Sequence, residues 1–160
     1  INQTAPSLAS LTLTGRQFLR PGVATINLSS SGGLIFNLNQ VNPQAAPPGS
    51  SIQNAIDAIG AVTGPATINI GTGTYTLTKT ITINKSLNLN GSTGAGATTL
   101  SGNNAVGVLN ISSVGTNVTL TNLTIQNGLA AFGGGIFNNG SNLVILNSTF
   151  SGNRAVGANG

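Results

Sequence analysis

One carboxylate side chain, Asp57, stands in a chain of 160 residues that has no His and no Cys. Hydrolysis of a glycosidic bond needs two carboxyl groups at one site, one protonated and one ionised. A calcium site built on carboxylates needs several such oxygens. A lone Asp supplies neither. Conventional Ser-His triads, thiol catalysis and His/Cys zinc sites are ruled out by the same composition. The stretch "GGGIFNNG" at 133–140 is glycine-rich, but it lacks the GxxxxGK[ST] spacing and no helix follows it, so it reads as a turn rather than a phosphate cradle. The sequence therefore predicts no catalytic residue, no cofactor-binding residue and no metal site.

The cations Arg16, Arg20, Lys79, Lys85 and Arg154 are spread along the whole chain and give a formal net charge of +4. With one Tyr and five Phe there is no basic stripe interleaved with aromatics, so no nucleic-acid partner is expected. Lys85 and Arg154 read as surface charge in turns. Charged residues make up only 4% of the chain, against about a quarter in an ordinary soluble protein. Asn, Gly, Thr and Ser take their place. No run approaches the roughly 18 unbroken apolar residues of a spanning helix, so insertion of such a helix into a membrane is not expected. The chain begins at Ile1 and has no Met. That is expected of a processed or excised product that has lost an export signal, and it points to a secreted or surface location.

The elements that would carry any function fall into three stretches. Residues 1–45 hold short runs of period two, "LTLT" at 11–14, "ATINLS" at 24–29 and "LIFNLNQ" at 34–40, separated by turn-forming residues. They are expected to form an N-terminal arm of strands. Within 46–65, "PPGSSIQNAIDAIGAVTG" predicts the one helix. Ser50 or Ser51 would be its N-cap, Ile52, Ala55, Ile56 and Ile59 one apolar face, and Gly64 a stop. Asp57 falls about 140° round from Ile52 and is expected to face away from the core. From residue 66 to 160 strands and Gly/Asn turns alternate without a break.

Within that last stretch, "NVTLTNLTIQNG" at 117–128 aligns with "NLVILNSTFSGN" at 142–153. Asn117 falls on Asn142, Asn122 on Asn147, Val118 on Leu143, Leu120 on Ile145 and Ile125 on Phe150. A fixed offset of this size marks a solenoid, whose repeats bury their apolar faces by stacking. Leu120, Ile125, Ile145 and Phe150 are the expected core. Gly and Asn tolerate the positive φ that each corner needs, and aligned Asn side chains can bond along the stack. The Thr-rich "TGTYTLTKTITIN" needs no more than β-propensity. Nine Asn-x-Ser/Thr sequons follow from Asn beside strand Thr and Ser.

The segment "SIQNAIDAIG" followed by "GTYTLTKTITINKSLNLNGSTGAGATTLSG" resembles the start of right-handed parallel β-helices of the pectate-lyase-like superfamily. "GGGI" at 133–136 with "FSGN" at 150–153 resembles the GGAI/FxxN repeats of polymorphic outer-membrane proteins and related bacterial surface adhesins. The resemblance covers roughly residues 50–160 and implies an all-β parallel β-helix with a capping helix. Enzymes of that superfamily use clustered or paired Asp, which this chain does not have.

Two functions of different class follow. The first is an extracellular structural subunit that joins copies of itself head to tail. It would do so by β-strand addition through the arm, with Leu11, Leu13, Ile26, Leu28, Leu34, Phe36 and Leu38 as the assembly interface. The second is a fragment of a longer surface adhesin that binds a glycan or a protein.

Overall fold

The computed structural model describes residues 50–59, 66–93 and 97–157. For strands at 3–4, 11–14, 28–29 and 34–38 it describes the backbone alone. The four early strands are β1 (Gln3–Thr4), β2 (Leu11–Thr14), β3 (Leu28–Ser29) and β4 (Leu34–Leu38), followed by helix α1 (Ser50–Ala58). A first coil holds β5 (Ala66–Ile70), β6 (Gly73–Thr76) and β7 (Ile81–Ile83), and a second β8 (Leu87–Gly91), β9 (Thr98–Ser101) and β10 (Leu109–Ile111). The third holds β11 (Asn117–Thr121), β12 (Leu123–Gln126), β13 (Leu129–Ala130) and β14 (Ile136–Asn138). A fourth is begun by β15 (Asn142–Leu146), β16 (Thr149–Ser151) and β17 (Arg154–Ala155).

Corresponding strands of successive coils pair in parallel, so the chain is a β-solenoid with three principal walls. The first wall runs β15-β11-β8-β5-β4-β2, the second β16-β12-β9-β6 and the third β14-β10-β7. Strands 11 and 15 pair with Leu120 opposite Ile145, and strands 12 and 16 with Ile125 opposite Phe150, which is the register of the sequence alignment. Along the first wall, however, partners lie 21, 31 and 25 positions apart, so the offset of 25 is not common to all coils. Only the second wall keeps it throughout, with Gly73, Thr98 and Leu123 in one row.

The core forms because alternate residues of every wall point inward. Ile68, Leu89 and Leu120 stack from the first wall, Tyr75, Leu100 and Ile125 from the second, and Ile81 and Leu109 from the third, all buried. Burying each aliphatic side chain contributes on the order of 1.5 to 3 kcal/mol. Outward positions carry Asn and Thr instead. There Asn88 donates to Thr67 at 3.2 Å, Asn90 to Asn69 at 3.3 Å and Asn142 to Asn117 at 3.0 Å, a ladder of side-chain bonds along the stack.

Helix α1 closes the upstream end, packed on β4, β5 and β7, with Ile52, Ala55, Ile56 and Ile59 buried and Asp57 exposed. Two side chains add bonds at this end. Gln53 accepts the Thr82 N–H at 2.8 Å through Oε1 and donates to the Thr82 carbonyl at 3.2 Å through Nε2, which supplies the edge of β7 with the two bonds a further strand would make. Lys85, expected as a surface charge, is half-buried and donates to the carbonyls of Ile56 at 3.0 Å and Ile59 at 2.7 Å. The last carbonyls of a helix have no partner within it and attract a cation, which is why the lysine turns inward.

The arm also departs from expectation. β4 pairs with β2 on one edge and β5 on the other, so the strand singled out for a neighbouring subunit already has both edges bonded within the chain. The first wall therefore includes β2 and β4 beside β5. Leu11, Leu13, Leu34, Phe36 and Leu38 lie in this wall, and Leu28 lies in β3, which pairs with β1. Ile26, Gly64 and the last three residues fall outside the described residues.

Tyr75 is fully buried, and its hydroxyl donates to the Gly71 carbonyl at 3.2 Å. Burial penalises the phenolate and pushes the group up from its ordinary 10.0 to about 12. The unfolded chain thus loses this proton first. The contribution to stability is complete below pH 10 and is lost as pH rises through about 12, to a total of about 2 to 3 kcal/mol. A Tyr75→Phe chain should lack that part of the alkaline fall in melting temperature. Appearance of phenolate absorbance near pH 10 in the folded protein would contradict this.

Candidate functional site

The corners are built by residues that accept a left-handed backbone. Asn122 and Asn147, aligned in the sequence, have φ of 56° and 48°, and Asn127 lies at 50° where the next coil has Gly152 at 62°. The two motifs that carried the resemblance meet in space. Asn153 of "FSGN" accepts the Gly128 N–H at 2.9 Å and donates to the Ile125 carbonyl at 2.8 Å, while Gly135 of "GGGI" lies against its amide. A Cβ at Gly134 would collide with the Arg154 carbonyl, so that glycine is set by a close backbone approach. Thr98, which β-propensity alone would explain, is buried and ties two coils together. Its hydroxyl accepts the Ser92 N–H at 2.9 Å and lies 2.9 Å from the Gly71 carbonyl and 3.1 Å from that of Ile70. These groups hold the scaffold in register and offer no reactive atom.

Asp57 is exposed, and its carboxylate accepts the Gln53 Nε2–H at 2.8 Å. Lys79 and Arg154 are exposed too, on separate coils.

What sets one region apart is the downstream end. Leu120 and Ile125 are completely buried, whereas Ile145 and Phe150, their partners in the next coil, are 40% and 44% exposed. Both were expected in the core; they lie over it with nothing described beyond them. The outward positions change as well. Where β11 carries Thr119 and Thr121, β15 carries Val144 and Leu146, each 49% exposed. The run "LVIL" is apolar on both faces, the pattern of a parallel strand covered on both sides. Beside it, among the described residues, β15, β16 and β14 each have a strand partner on one side only. The end therefore offers parallel edges and an apolar floor of one cross-section, which is what one coil offers the next.

No family model, curated relative or solved structure matches the chain.

Proposed function

We propose that this chain is a non-enzymatic structural solenoid of the cell surface or extracellular space, a length of stalk in an adhesin-like protein. On this reading it is sealed at one end and continued at the other by a further coil of the same repeat. The observation that carries the proposal is the contrast between the ends: helix α1, fixed by Gln53 on the β7 edge and by Lys85 on the carbonyls of Ile56 and Ile59, covers the core upstream, while Ile145 and Phe150 stay half-open downstream. The uncharged outward ladders and the single, solvent-facing Asp57 agree with a scaffold rather than a catalyst. The GGGI and FSGN contacts agree with the surface-adhesin resemblance.

Self-assembly head to tail through the arm is the second reading, favoured by one feature. Among the described residues, β2 is the terminal strand of the first wall and has one partner. Against it, α1 stands across the upstream end, so a copy arriving there could extend only that wall.

Sedimentation separates the two. The 160-residue chain should self-associate through its open end, and a chain with Ile145→Asp and Phe150→Asp should stay monomeric. Removal of residues 1–20, which takes away β2 and keeps β4, should leave association unchanged. If that truncation abolishes association while the double variant retains it, assembly through the arm is correct and the stalk reading is not.

A further inference from the structure

Asn139 and Gly140 form the tip of the turn between β14 and β15, and both are exposed. An Asn followed by Gly carries a reaction of its own. The main-chain nitrogen of the glycine can attack the side-chain carbonyl carbon of the Asn, and a glycine, having no Cβ, leaves that approach open. The sequence has four such pairs, at Asn90, Asn127, Asn139 and Asn159, the last outside the described residues. What separates them is whether the side-chain amide and the following N–H are free to meet.

Two of the pairs are locked. Asn90 lies in β8 with its amide donating to Asn69 at 3.3 Å, and Gly91 is buried so closely that a Cβ on it would strike the Asn122 carbonyl. The Gly128 N–H is buried and donates to Asn153 at 2.9 Å. Asn127 before it is held at both ends, its N–H on the Ser151 carbonyl at 3.0 Å and its carbonyl on the Asn104 N–H at 2.7 Å. At Asn139–Gly140, neither the side-chain amide nor the Gly140 N–H has a hydrogen-bond partner among the described residues. The bonds of this turn go to the atoms around them. The Asn139 N–H donates to the Ile111 carbonyl at 2.9 Å, the Gly140 carbonyl accepts the Gly115 N–H at 3.0 Å, and Asn138 accepts the Ser141 N–H at 3.0 Å. A Cβ on Gly140 would meet nothing nearer than Val114 at 3.5 Å, so the tip is loosely surrounded.

We infer that Asn139–Gly140 is a self-modifying site, which converts an amide into a carboxylate at the corner leading into β15. The Gly140 nitrogen bonds to Asn139 Cγ and the Cγ–Nδ2 bond breaks. The amide nitrogen takes the Gly140 proton and leaves as ammonia. Water then opens the cyclic imide at either of its carbonyls. One opening gives aspartate; the other gives isoaspartate, whose main chain is longer by one carbon. Both lower the formal net charge of +4 by one and add a carboxylate to a chain whose only other side-chain carboxylate is Asp57. Isoaspartate also lengthens the link between the Ile111 anchor and the bonds that set β15 beside β11. Those are the Asn142 N–H on the Thr116 carbonyl at 2.8 Å and the Asn142 amide on Asn117 at 3.0 Å. The start of the fourth coil should therefore loosen. None of this depends on the stalk reading.

The test is ageing of the 160-residue chain at mildly alkaline pH, with the products at each Asn-Gly pair read by peptide mass mapping and isoaspartate detection. Aspartate and isoaspartate should accumulate at 139 at least about tenfold faster than at 90 or 127. In denaturant the three pairs should react at comparable rates. The purified isoaspartyl form should exchange the amides of Asn142–Leu146 faster than fresh protein. An Asn139→Gln chain aged alongside should not, because glutamine closes its larger ring far more slowly. If Asn139 reacts no faster than Asn90 and Asn127 in the folded chain, or if its lead persists in denaturant, the fold does not create the site and the proposal fails. Unchanged exchange in β15 of the isoaspartyl form would overturn the effect on the fourth coil.

Discussion

A Leu120→Asp chain should show no cooperative unfolding transition by circular dichroism, whereas an Ile145→Asp chain should still show one. The two residues occupy the same inward column one coil apart, but Leu120 is closed in by Leu89 on one side and Ile145 on the other. An aspartate there loses the aliphatic contacts, about 3 to 5 kcal/mol for a buried leucine, and adds an unpaired charge that costs several more. The sum reaches the whole stability of an ordinary domain, about 5 to 15 kcal/mol. At Ile145, already 40% exposed, the carboxylate can turn to water, and the cost should be about 1 to 2 kcal/mol, part of the burial of one aliphatic side chain. Equal damage at the two positions would show that the fourth coil is covered within the chain and that the end is not open.

The second large effect is expected at Gly128. A Cβ on that residue would run into the Gly134 carbonyl and also meet the Asn153 amide, so the obstacle is backbone on one side and a bonded side chain on the other. Neither can swing away. Gly128→Ala should therefore lose about 3 kcal/mol, the upper part of the range for overpacked sites. Gly115 is the control. Its φ is 74°, and a Cβ there would meet nothing within 4 Å, so Gly115→Ala should cost only the left-handed backbone penalty of about 1 to 2 kcal/mol. Chemical denaturation of both variants checks the order, and a Gly128→Ala chain as stable as the parent would mean that the corner of the third coil is looser than described.

The parts of this fold that could be read in the sequence are those set by local pattern. Alternation in "TINI", "SLNLN" and "NVTLT" shows which side chains go inward, and the helical spacing of Ile52, Ala55, Ile56 and Ile59 locates α1. One coil register was also visible, because residues 117–128 and 142–153 share corner residues at Asn122 and Asn147. The earlier coils hid theirs. The corner after β8 and the one after β9 hold different numbers of residues from their counterparts in the third coil, so no single offset aligns them.

Pairings across long separations were hidden for the same reason. Alternation identifies "LIFNL" as a strand but says nothing of which edges it will find, and here it found β2 and β5. Gln53 and Lys85 act on groups 29 residues away or nearly so, through bonds that no residue type announces. Thr98 looked like any strand threonine.

The unequal coils have a consequence for what the molecule can tolerate. Because the second wall keeps one spacing from Gly73 to Thr98 to Leu123, extra length in a coil must leave the chain at corners and return before that wall is reached again. The wall is a ruler, and differences in length are taken up at the corners on either side of it: residues 77–80 and 102–108 after it in the first and second coils, and residues 92–97 before it in the second coil against Asn122 alone in the third. A foreign peptide grafted at one of these corners would bulge outward and leave its neighbours in place. The same peptide placed within β9 or β12 would break the ladder there, and one of odd length would turn the rest of that strand's inward residues to the outer face. This solenoid therefore has built-in positions on its flank, such as the corners at 92–97 and 102–108, for carrying added segments.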